Sequence, residues 1–324
     1  MAADDEFVIV TDNLTRRFKN ATAVDGLNLQ IRRGEVFGLV GPDGAGKTTT
    51  IRMLCAIMDP TEGTARVMGF ETVREAEQIK RRMGYMAQRF NLYGDLSVTE
   101  NLDFFADVFQ VRGQERRERK QRLLEFARLT EFRDRRAAHL SGGMQKKLAL
   151  ACTLIHQPEI IFLDEPTTGV DPVSRREFWD ILTELHLQGI TIFVSTPYMD
   201  EAERCSRVGL MYRGRIVVCD VPEQIKELVG GELLELRPLN LRNAQKIVTE
   251  LEGVLEVQTY GDLLHVFVDD AAEREAEILA ALKEARIEVI DLRQIQPRME
   301  EAFISLVRRQ RAEVARSDSG GDAQ

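Results

Sequence analysis

Two hydrophobic periods alternate along the first 230 residues of the chain. Residues 23–31 place apolar side chains at every second position, which is typical of a half-buried antiparallel strand. Residues 36–40, 160–163 and 190–194 are short, continuously apolar runs, which are typical of strands buried in a parallel sheet. Apolar residues at helical spacing lie between these runs, as in residues 172–187. The pattern therefore predicts an α/β core that carries an antiparallel β-subdomain.

An all-helical insertion interrupts this rhythm. From residue 98 to residue 139 the apolar positions follow helical spacing and charge increases, which predicts a helical subdomain over about residues 90–156. The run Arg112–Arg122 is rich in arginine, so a nucleic-acid-binding arm is one interpretation. Because Glu115 and Glu118 interrupt the run at helical spacing, a solvated helix face is favoured.

The character of the chain changes after the Gly230-Gly231 pair. Residues 232–311 predict the order β-α-β-β-α-β of a small ferredoxin-like α+β domain. A two-residue turn, Gly261-Asp262, connects its central hairpin. We therefore predict an N-terminal domain of residues 1–229, this accessory domain at 232–311, and a disordered tail at 312–324.

Composition and charge limit the classes of protein to which the chain can belong. The 324 residues are 44% hydrophobic and 30% charged, which is typical of a soluble globular protein. A formal net charge of −9 argues against nucleic acid as the main partner. The four cysteines lack metal-ligand spacing and are expected to be reduced. We expect neither a signal peptide nor a membrane helix, so any work at a membrane requires a partner.

The candidate chemistry centres on a glycine-rich loop of the form G-x-x-x-x-G-K-[ST]. It follows the apolar run 36–40 and precedes a helical pattern, the context in which this spacing binds phosphate. Backbone N–H groups and a helix N-terminus would cradle the phosphates, Lys47 would reach the β- and γ-phosphates, and Thr48 would bind Mg²⁺. The predicted ATP-binding residues are Phe18, Gly41, Pro42, Asp43, Gly44, Ala45, Gly46, Lys47, Thr48 and Thr49.

Two later segments add polar groups suited to the same chemistry. Ser141 precedes two glycines and a helical pattern, which predicts a second anion-binding helix start. Asp164 and Glu165 follow the apolar run 160–163. Asp164 is suited to hold Mg²⁺, and Glu165 is suited to polarise an attacking water. Phe18 could stack on an adenine ring or simply pack against its neighbours.

These motifs, in this order, resemble the ATPase subunits of ATP-binding cassette (ABC) transporters. The resemblance covers residues 7–229 and rests on the phosphate loop, Gln88, Leu140–Gln145, Ile160–Pro166 and Gly169-Val-Asp171. It implies a P-loop NTPase core with an antiparallel β-subdomain and an all-helical subdomain. The ferredoxin-like domain and Met-Asp-Glu-Ala at 199–202 resemble the multidrug and drug-resistance exporter branch.

The resemblance also implies residue roles. Gln88 would sense Mg²⁺ and the attacking water, and the catalytic set would be Lys47, Gln88 and Glu165. The magnesium set would be Thr48, Gln88 and Asp164. Asp171 would lie at the seam of an ATPase dimer. The signature set, which would contact ATP bound to the opposite subunit, comprises Ser141, Gly142, Gly143 and Gln145.

One position departs from the family pattern. Where the family usually has a histidine after Ser-Thr, this chain has Pro197, which can donate no hydrogen bond. Its own ATP site is therefore expected to bind ATP but hydrolyse it slowly, unless a neighbour such as Thr196 substitutes. A homodimer or an asymmetric heterodimer with a second ABC ATPase domain fits this expectation.

The leading functional prediction is an ATP-hydrolysing subunit that powers export of drugs or other small molecules. Integral membrane permease subunits would be its partners, and residues 90–101 resemble the segment that meets them. Its expected location is peripheral, at the cytoplasmic face of the inner membrane, with no nucleic acid bound. Two alternatives stay open: a soluble ABC ATPase that acts as an ATP-gated clamp on ribosomes or DNA, and a module that uses ATP only to dimerise.

Overall fold

The computed structural model describes residues 6–89 and 92–319, and it divides the chain into two compact units. These units are Met1–Pro222 and Glu223–Gln324. Phe90 and Asn91, which begin the predicted permease-contact segment, lie outside the described residues.

Two sheets and a group of helices form the first unit. Its strands are β1 (Phe7–Phe18), β2 (Ala21–Arg32), β3 (Val36–Val40), β4 (Glu62–Val67), β5 (Phe70–Glu71), β6 (Met83–Met86), β7 (Ile160–Asp164), β8 (Thr191–Thr196), β9 (Arg207–Tyr212) and β10 (Arg215–Asp220). Its helices are α1 (Lys47–Leu54), α2 (Ala76–Lys80), α3 (Val98–Val108), α4 (Gly113–Phe126), α5 (Gly142–Leu154), α6 (Pro172–Leu187) and α7 (Met199–Ala202).

The central sheet has the order β10-β9-β3-β8-β7-β6, with every neighbouring pair parallel except β9 and β10. Its strands β3, β7 and β8 are almost fully buried, which explains their continuously apolar sequences. In the register, Val40 pairs with Thr196 and Asp164 pairs with Ser195. The carboxyl ends of these three strands therefore meet at one edge of the sheet, where α/β folds bind ligands.

A second, antiparallel sheet has the order β2-β1-β4-β5. The strand predicted at residues 7–12 is longer than expected, because β1 continues to Phe18 through irregular pairing after Thr11. Bulges of this kind interrupt side-chain alternation and so hide the continuation from a period-two pattern.

The helical insertion has its own hydrophobic core, formed mainly by α3, α4 and α5. Ser97 and Glu100 form a capping box that fixes the start of α3. The basic residues of α4 meet acidic residues of α3: Arg116 Nε and Lys120 Nζ both lie 2.7 Å from Asp103 Oδ1. The arginine-rich run therefore includes cations that are neutralised within the helical region, as the mixed-charge interpretation expects.

The second unit follows the predicted order of elements. Its elements are α8 (Pro222–Glu227), β11 (Glu232–Pro238), α9 (Leu241–Thr249), β12 (Val254–Tyr260), β13 (Leu263–Val268), α10 (Ala271–Glu284), β14 (Val289–Ile295) and α11 (Met299–Ser319). The antiparallel sheet has the order β12-β13-β11-β14, which is the ferredoxin-like arrangement. The predicted fold class is confirmed.

The last helix extends beyond its predicted end. We expected a disordered tail from residue 312, whereas α11 continues to Ser319. The sequence Arg-Ala-Glu-Val-Ala-Arg at 311–316 consists mostly of good helix formers, which accounts for the continuation. Residues 320–324 lie outside the described residues.

A buried histidine connects α11 to the sheet of the second unit. His265 on β13 is 4% exposed. Its Nδ1 lies 3.1 Å from Glu301 Oε1, and its Nε2 lies 3.4 Å from Glu235 Oε2. The interaction with Glu301 raises the pKa of His265 above its usual value of 6.5, against the effect of burial. Burial disfavours the Glu301 carboxylate, but His265 and backbone N–H groups hold the pKa of Glu301 below 4.5.

We predict that this pair stabilises the fold most at mildly acidic pH. The histidine contribution is full below pH 6.5 and is lost as pH rises through the raised pKa. The glutamate contribution is full above pH 4.5 and is lost as pH falls through the lowered pKa. His265→Gln should cost about 1–3 kcal/mol at pH 5.5 and less at pH 9, measured by urea unfolding. The exposed His139→Gln is the control, and equal losses at both pH values would contradict the prediction.

Candidate nucleotide site

A loop with two sterically required glycines connects β3 to α1. A Cβ on Gly41 would lie 2.1 Å from the Met211 carbonyl oxygen, and one on Gly46 would lie 2.2 Å from that of Ala23. Gly46 also has φ +111° and is the N-cap of α1, where it offers no side chain to the helix N-terminus. The loop therefore presents backbone N–H groups at a helix start, the arrangement that binds phosphate.

The predicted loop residues occupy the positions between β3 and α1. Ala45 is buried and its N–H donates to the Pro42 carbonyl at 3.2 Å, which closes the turn. Asp43 and Gly44 form the exposed tip, and Gly44 has φ +76°. Thr49 lies in the first turn of α1.

Lys47 is buried within the loop, with 3% of its side chain exposed. Its Nζ donates to the carbonyl oxygens of Gly41 at 2.8 Å and Pro42 at 3.0 Å. The same Nζ lies 3.1 Å from Glu165 Oε1, whose side chain is 7% exposed. The lysine is therefore held by two hydrogen bonds to the loop and by an ion pair with the carboxylate.

Glu165 lies immediately after β7 in an unusual backbone conformation. Its φ is +48°, which is uncommon for a residue other than glycine. Its N–H lies 3.1 Å from both the hydroxyl and the carbonyl oxygen of Ser195. Gln88 Nε2 donates to Glu165 Oε2 at 2.8 Å, and the Thr168 hydroxyl approaches the same oxygen at 3.4 Å. The backbone therefore aims this carboxylate toward Lys47 and Gln88.

Asp164 is the second carboxylate at this edge and is 1% exposed. Thr48 Oγ1 donates to its Oδ1 at 3.0 Å, and Ser195 Oγ donates to the same atom at 2.7 Å. Burial raises the pKa of Asp164, while these two hydroxyl donors oppose the shift. Ser195 is a site residue that the motifs do not predict. Only the pairing of the parallel strands β7 and β8, which places Ser195 opposite Asp164, indicates its role.

The signature residues lie at the start of α5. Ser141 is its N-cap and accepts a hydrogen bond from Met144 N at 3.3 Å, while Gly142 is exposed. Gln145 faces its own helical region, where its Nε2 donates to the Ala137 carbonyl at 3.0 Å. Lys146 Nζ donates to the Gln88 carbonyl at 3.1 Å, a contact that the sequence analysis missed. A chain of contacts therefore joins α5 to Glu165 through Gln88.

A cavity of about 370 Å³ lies beside this chain of contacts. Its lining includes Gln88, Gly142, Lys146, Thr168 and Gly169. It brings together the glutamine segment, the start of α5 and the segment after Glu165.

The remaining predicted residues lie on other elements. Asp171 is the N-cap of α6 and accepts from Val173 N at 3.1 Å and Ser174 N at 2.9 Å. Phe18 ends β1 with 45% of its surface exposed, and the guanidinium carbon of Arg16 lies 4.9 Å from its ring centroid. Pro197 follows β8 directly and is partly buried.

Thr196, the neighbour considered as a substitute donor, already has hydrogen-bonding partners. Its hydroxyl donates to Glu201 Oε2 at 2.6 Å and accepts from Tyr198 N at 3.1 Å.

Comparison with known proteins decides the family. Residues 24–168 match the family model described as ABC transporter, and residues 221–307 match the C-terminal domain of ATP-binding protein DrrA1-3-like. The chain is 35% identical over 301 residues to the daunorubicin resistance ATP-binding protein DrrA3 of Streptomyces coeruleorubidus, covering 92% of this chain and 95% of that protein. The chain belongs to the ABC transporter ATP-binding family. Together with the fold, this membership makes it an ATP-binding ATPase, as the sequence motifs predicted.

Two further comparisons extend this result. The chain is 44% identical over 221 residues to the probable multidrug ABC transporter ATP-binding protein YbhF of Escherichia coli (strain K12), covering 68% of this chain. It spans only 38% of the length of YbhF. The ATP-binding cassette MJ0796, solved as a post-hydrolysis dimer bound to ADP and Pi, is 29% identical with a TM-score of 0.60. That alignment covers 66% of this chain and 98% of MJ0796.

Two features are absent from residues 6–89 and 92–319. None of the helices there is both long enough and apolar enough to cross a membrane. No group of three or more His, Cys, Asp or Glu side chains within that part of the chain is arranged to hold a metal ion.

The two glycines after Ser141 differ in the space around them, which gives a prediction for the ABC ATPase fold. A Cβ on Gly143 would lie 2.5 Å from Ser174 Cβ on α6, whereas one on Gly142 would meet nothing within 4 Å. Gly143→Ala should therefore push α5 and α6 apart and cost about 1–3 kcal/mol in urea unfolding. Gly142→Ala is the matched control and should change stability by less than about 1 kcal/mol. Equal unfolding free energies for the two variants would argue against this packing.

Proposed function

We propose that this ATPase is the energy-supplying subunit of an exporter and works through separate membrane permease subunits. The observation that carries the proposal is the run of contacts Lys47–Glu165–Gln88–Lys146, which joins the phosphate loop to the helical region. Through these contacts, a change in the position of Lys47 or Glu165 would move residues of the helical region, which carries the surface that a permease would contact.

ATP binding would rearrange the Lys47–Glu165 pair. A γ-phosphate at the loop carries more negative charge than one carboxylate, so Lys47 would move to the phosphate and leave Glu165. The released carboxylate would then be able to polarise a water for attack on the γ-phosphate, with Gln88 orienting it. The backbone of the loop would hold the β-phosphate, and Phe18, which is partly exposed, would stack on the adenine.

The residues at the carboxyl end of β7 fit a magnesium ion. Thr48 and Asp164 are already joined through oxygen atoms 3.0 Å apart, and the Gln88 side chain donates to the neighbouring Glu165 at 2.8 Å. Mg²⁺ prefers oxygen ligands and usually takes only one or two from protein, with phosphates and waters completing its shell. When bound, the ion would neutralise charge on the transferred phosphate.

The signature residues are suited to contact a nucleotide on a second ATPase domain. Ser141 and Gly142 are exposed at the N-terminus of α5, and Asp171 is exposed at the N-terminus of α6. We assign Gly143 to close packing of α5 on α6, since it is buried against Ser174. Gln145 would support this surface through Ala137 instead of touching ATP.

An exposed apolar patch on the helical region is suited to a permease. Tyr93 and Phe104 are 47% and 37% exposed, their ring centroids lie 4.4 Å apart, and Val108 is 57% exposed. Exposed apolar clusters of this kind mark contact surfaces. The names of YbhF and DrrA3 refer to multidrug transport and daunorubicin resistance. We infer that the transported substrate is a drug or another small molecule and that the subunit is peripheral at the cytoplasmic face of the inner membrane.

Fractionation of cells tests the export proposal. The tagged chain should be recovered with membranes only when its integral membrane partner is co-expressed, and it should co-purify with that partner. Tyr93→Ser/Phe104→Ser should abolish membrane recovery, whereas an exposed change on another helix, Leu187→Ser, should not. Co-sedimentation with ribosomes in the absence of any membrane partner would instead support the soluble clamp.

We further propose that Pro197 slows hydrolysis in the chain's own site. Proline supplies no donor there, and the Thr196 hydroxyl donates to Glu201, so it is not available as a substitute. The loss of one charge-assisted hydrogen bond costs about 1.5–3 kcal/mol, or roughly a 10- to 150-fold slower step. An asymmetric pair, in which a partner ATPase with a histidine carries most turnover, follows from this proposal.

Pro197→His should raise the single-turnover rate of ATP hydrolysis by the purified chain about 10-fold or more, because it restores a donor. The affinity for ATP should change little, since the phosphate loop is untouched. Pro197→Ala is the control, because it removes the proline ring without adding a side-chain donor. Equal rates of hydrolysis for the His and Ala variants would contradict the proposal that Pro197 slows the site.

A further inference from the structure

A buried carboxylate with no role in the scheme above lies between the ends of β7 and β8. Glu201, in α7, is 1% exposed. Thr167 Oγ1 donates to its Oε1 at 2.5 Å, and Thr196 Oγ1 donates to its Oε2 at 2.6 Å. A buried carboxylate is costly unless it is paired, so this geometry is maintained against a substantial penalty.

The two threonines belong to the segments that carry the reacting groups. Thr167 lies two residues after Glu165, and Thr196 directly precedes Pro197. The Thr196 carbonyl also accepts a hydrogen bond from Gly41 N at 3.3 Å, at the start of the phosphate loop. One carboxylate therefore ties the segment after β7 to the segment after β8, and through it to the loop.

Arg175 supplies the compensating charge. It lies on α6 one turn after Asp171, and its Nε is 3.7 Å from Glu201 Oε1. Its guanidinium carbon lies 4.1 Å from the ring centroid of Tyr198, the residue that follows Pro197. The start of α6 is thereby connected to the same segment.

We propose that Glu201 is a positioning residue for ATP hydrolysis. It does not touch nucleotide; it fixes Thr167 and Thr196 and so holds Glu165 in position relative to the phosphate loop. The inference rests on the ATPase activity of the family and is independent of the export proposal and of the effect of Pro197.

A carboxylate is required here because both hydroxyls donate to it. An amide of the same shape has one oxygen to accept with, and its NH₂ group cannot accept. Glu201→Gln therefore removes one of the two acceptors without leaving a cavity, so that only one threonine can still donate to residue 201. Thr167→Val removes the Thr167 donor while the carboxylate stays in place.

The test compares single-turnover hydrolysis and ATP affinity in the purified full chain. Glu201→Gln should lower the rate of hydrolysis about 10-fold, the loss expected from one buried hydrogen bond, with ATP affinity within about twofold of wild type. Asp180→Asn is the control and should leave both quantities unchanged, since Asp180 is exposed on α6.

Two results would overturn the proposal. One is a rate for Glu201→Gln within twofold of wild type. The other is an equal loss of rate and ATP affinity, which indicates a general structural role. If Glu201→Gln fails to fold, Thr167→Val decides: a slower rate at unchanged ATP affinity supports the proposal, and a wild-type rate rejects it.

Discussion

The buried pair of Lys47 and Glu165 is the interaction on which the site depends. Both side chains are less than 10% exposed and lie 3.1 Å apart. Two charges removed from water require each other or an equivalent partner, because an unpaired buried charge costs several kcal/mol. Two carbonyl contacts of Lys47 and the amide contact of Glu165 add hydrogen bonds that hold the two charged groups in place. The pair can therefore open only when another charge replaces one member, and a phosphate is suited to do so.

The parallel sheet explains how residues more than 100 positions apart reach this pair. Register places Asp164 beside Ser195 and Val40 beside Thr196, so three strand ends deliver the loop, the two carboxylates and the Pro197 segment to one edge. Burial on both faces fixes that register, since a shift would expose apolar side chains. The positive φ of Glu165 then turns its carboxylate back over the edge. The relative positions of the site residues are therefore set by the register of the strands that carry them.

The sequence predicted those features that depend on residues close together in the chain. The bounds of α6 are those expected from helical spacing, and the glycine loop lies where the apolar run before it ends. Ser195, Lys146 and Glu201 were not identified as site residues, because their importance depends on which strand or helix lies next to them. The hydrogen bond from Gln145 to Ala137 was also not predicted, because a motif gives the order of residues but not the direction in which a side chain points. Helix α11 ends later than predicted. Its last residues have the polar composition of a disordered tail, but most of them also favour helix.

The burial of Glu165 and the exposure of the helix start at Ser141 give a reason why the ATP site would need a second domain. Around Glu165, the lysine, amide and hydroxyl contacts all come from within one chain. Ser141 and Gly142, the N-terminal groups best suited to a phosphate after the loop itself, are exposed, and the Ser141 hydroxyl accepts from its own helix. An exposed helix N-terminus keeps its positive end for an anion that approaches from outside. If that anion is ATP on a neighbouring domain, each domain supplies what the other lacks. A slow site is then no loss to the pair, because a chain with Pro197 still presents an intact helix cap to the nucleotide of its partner.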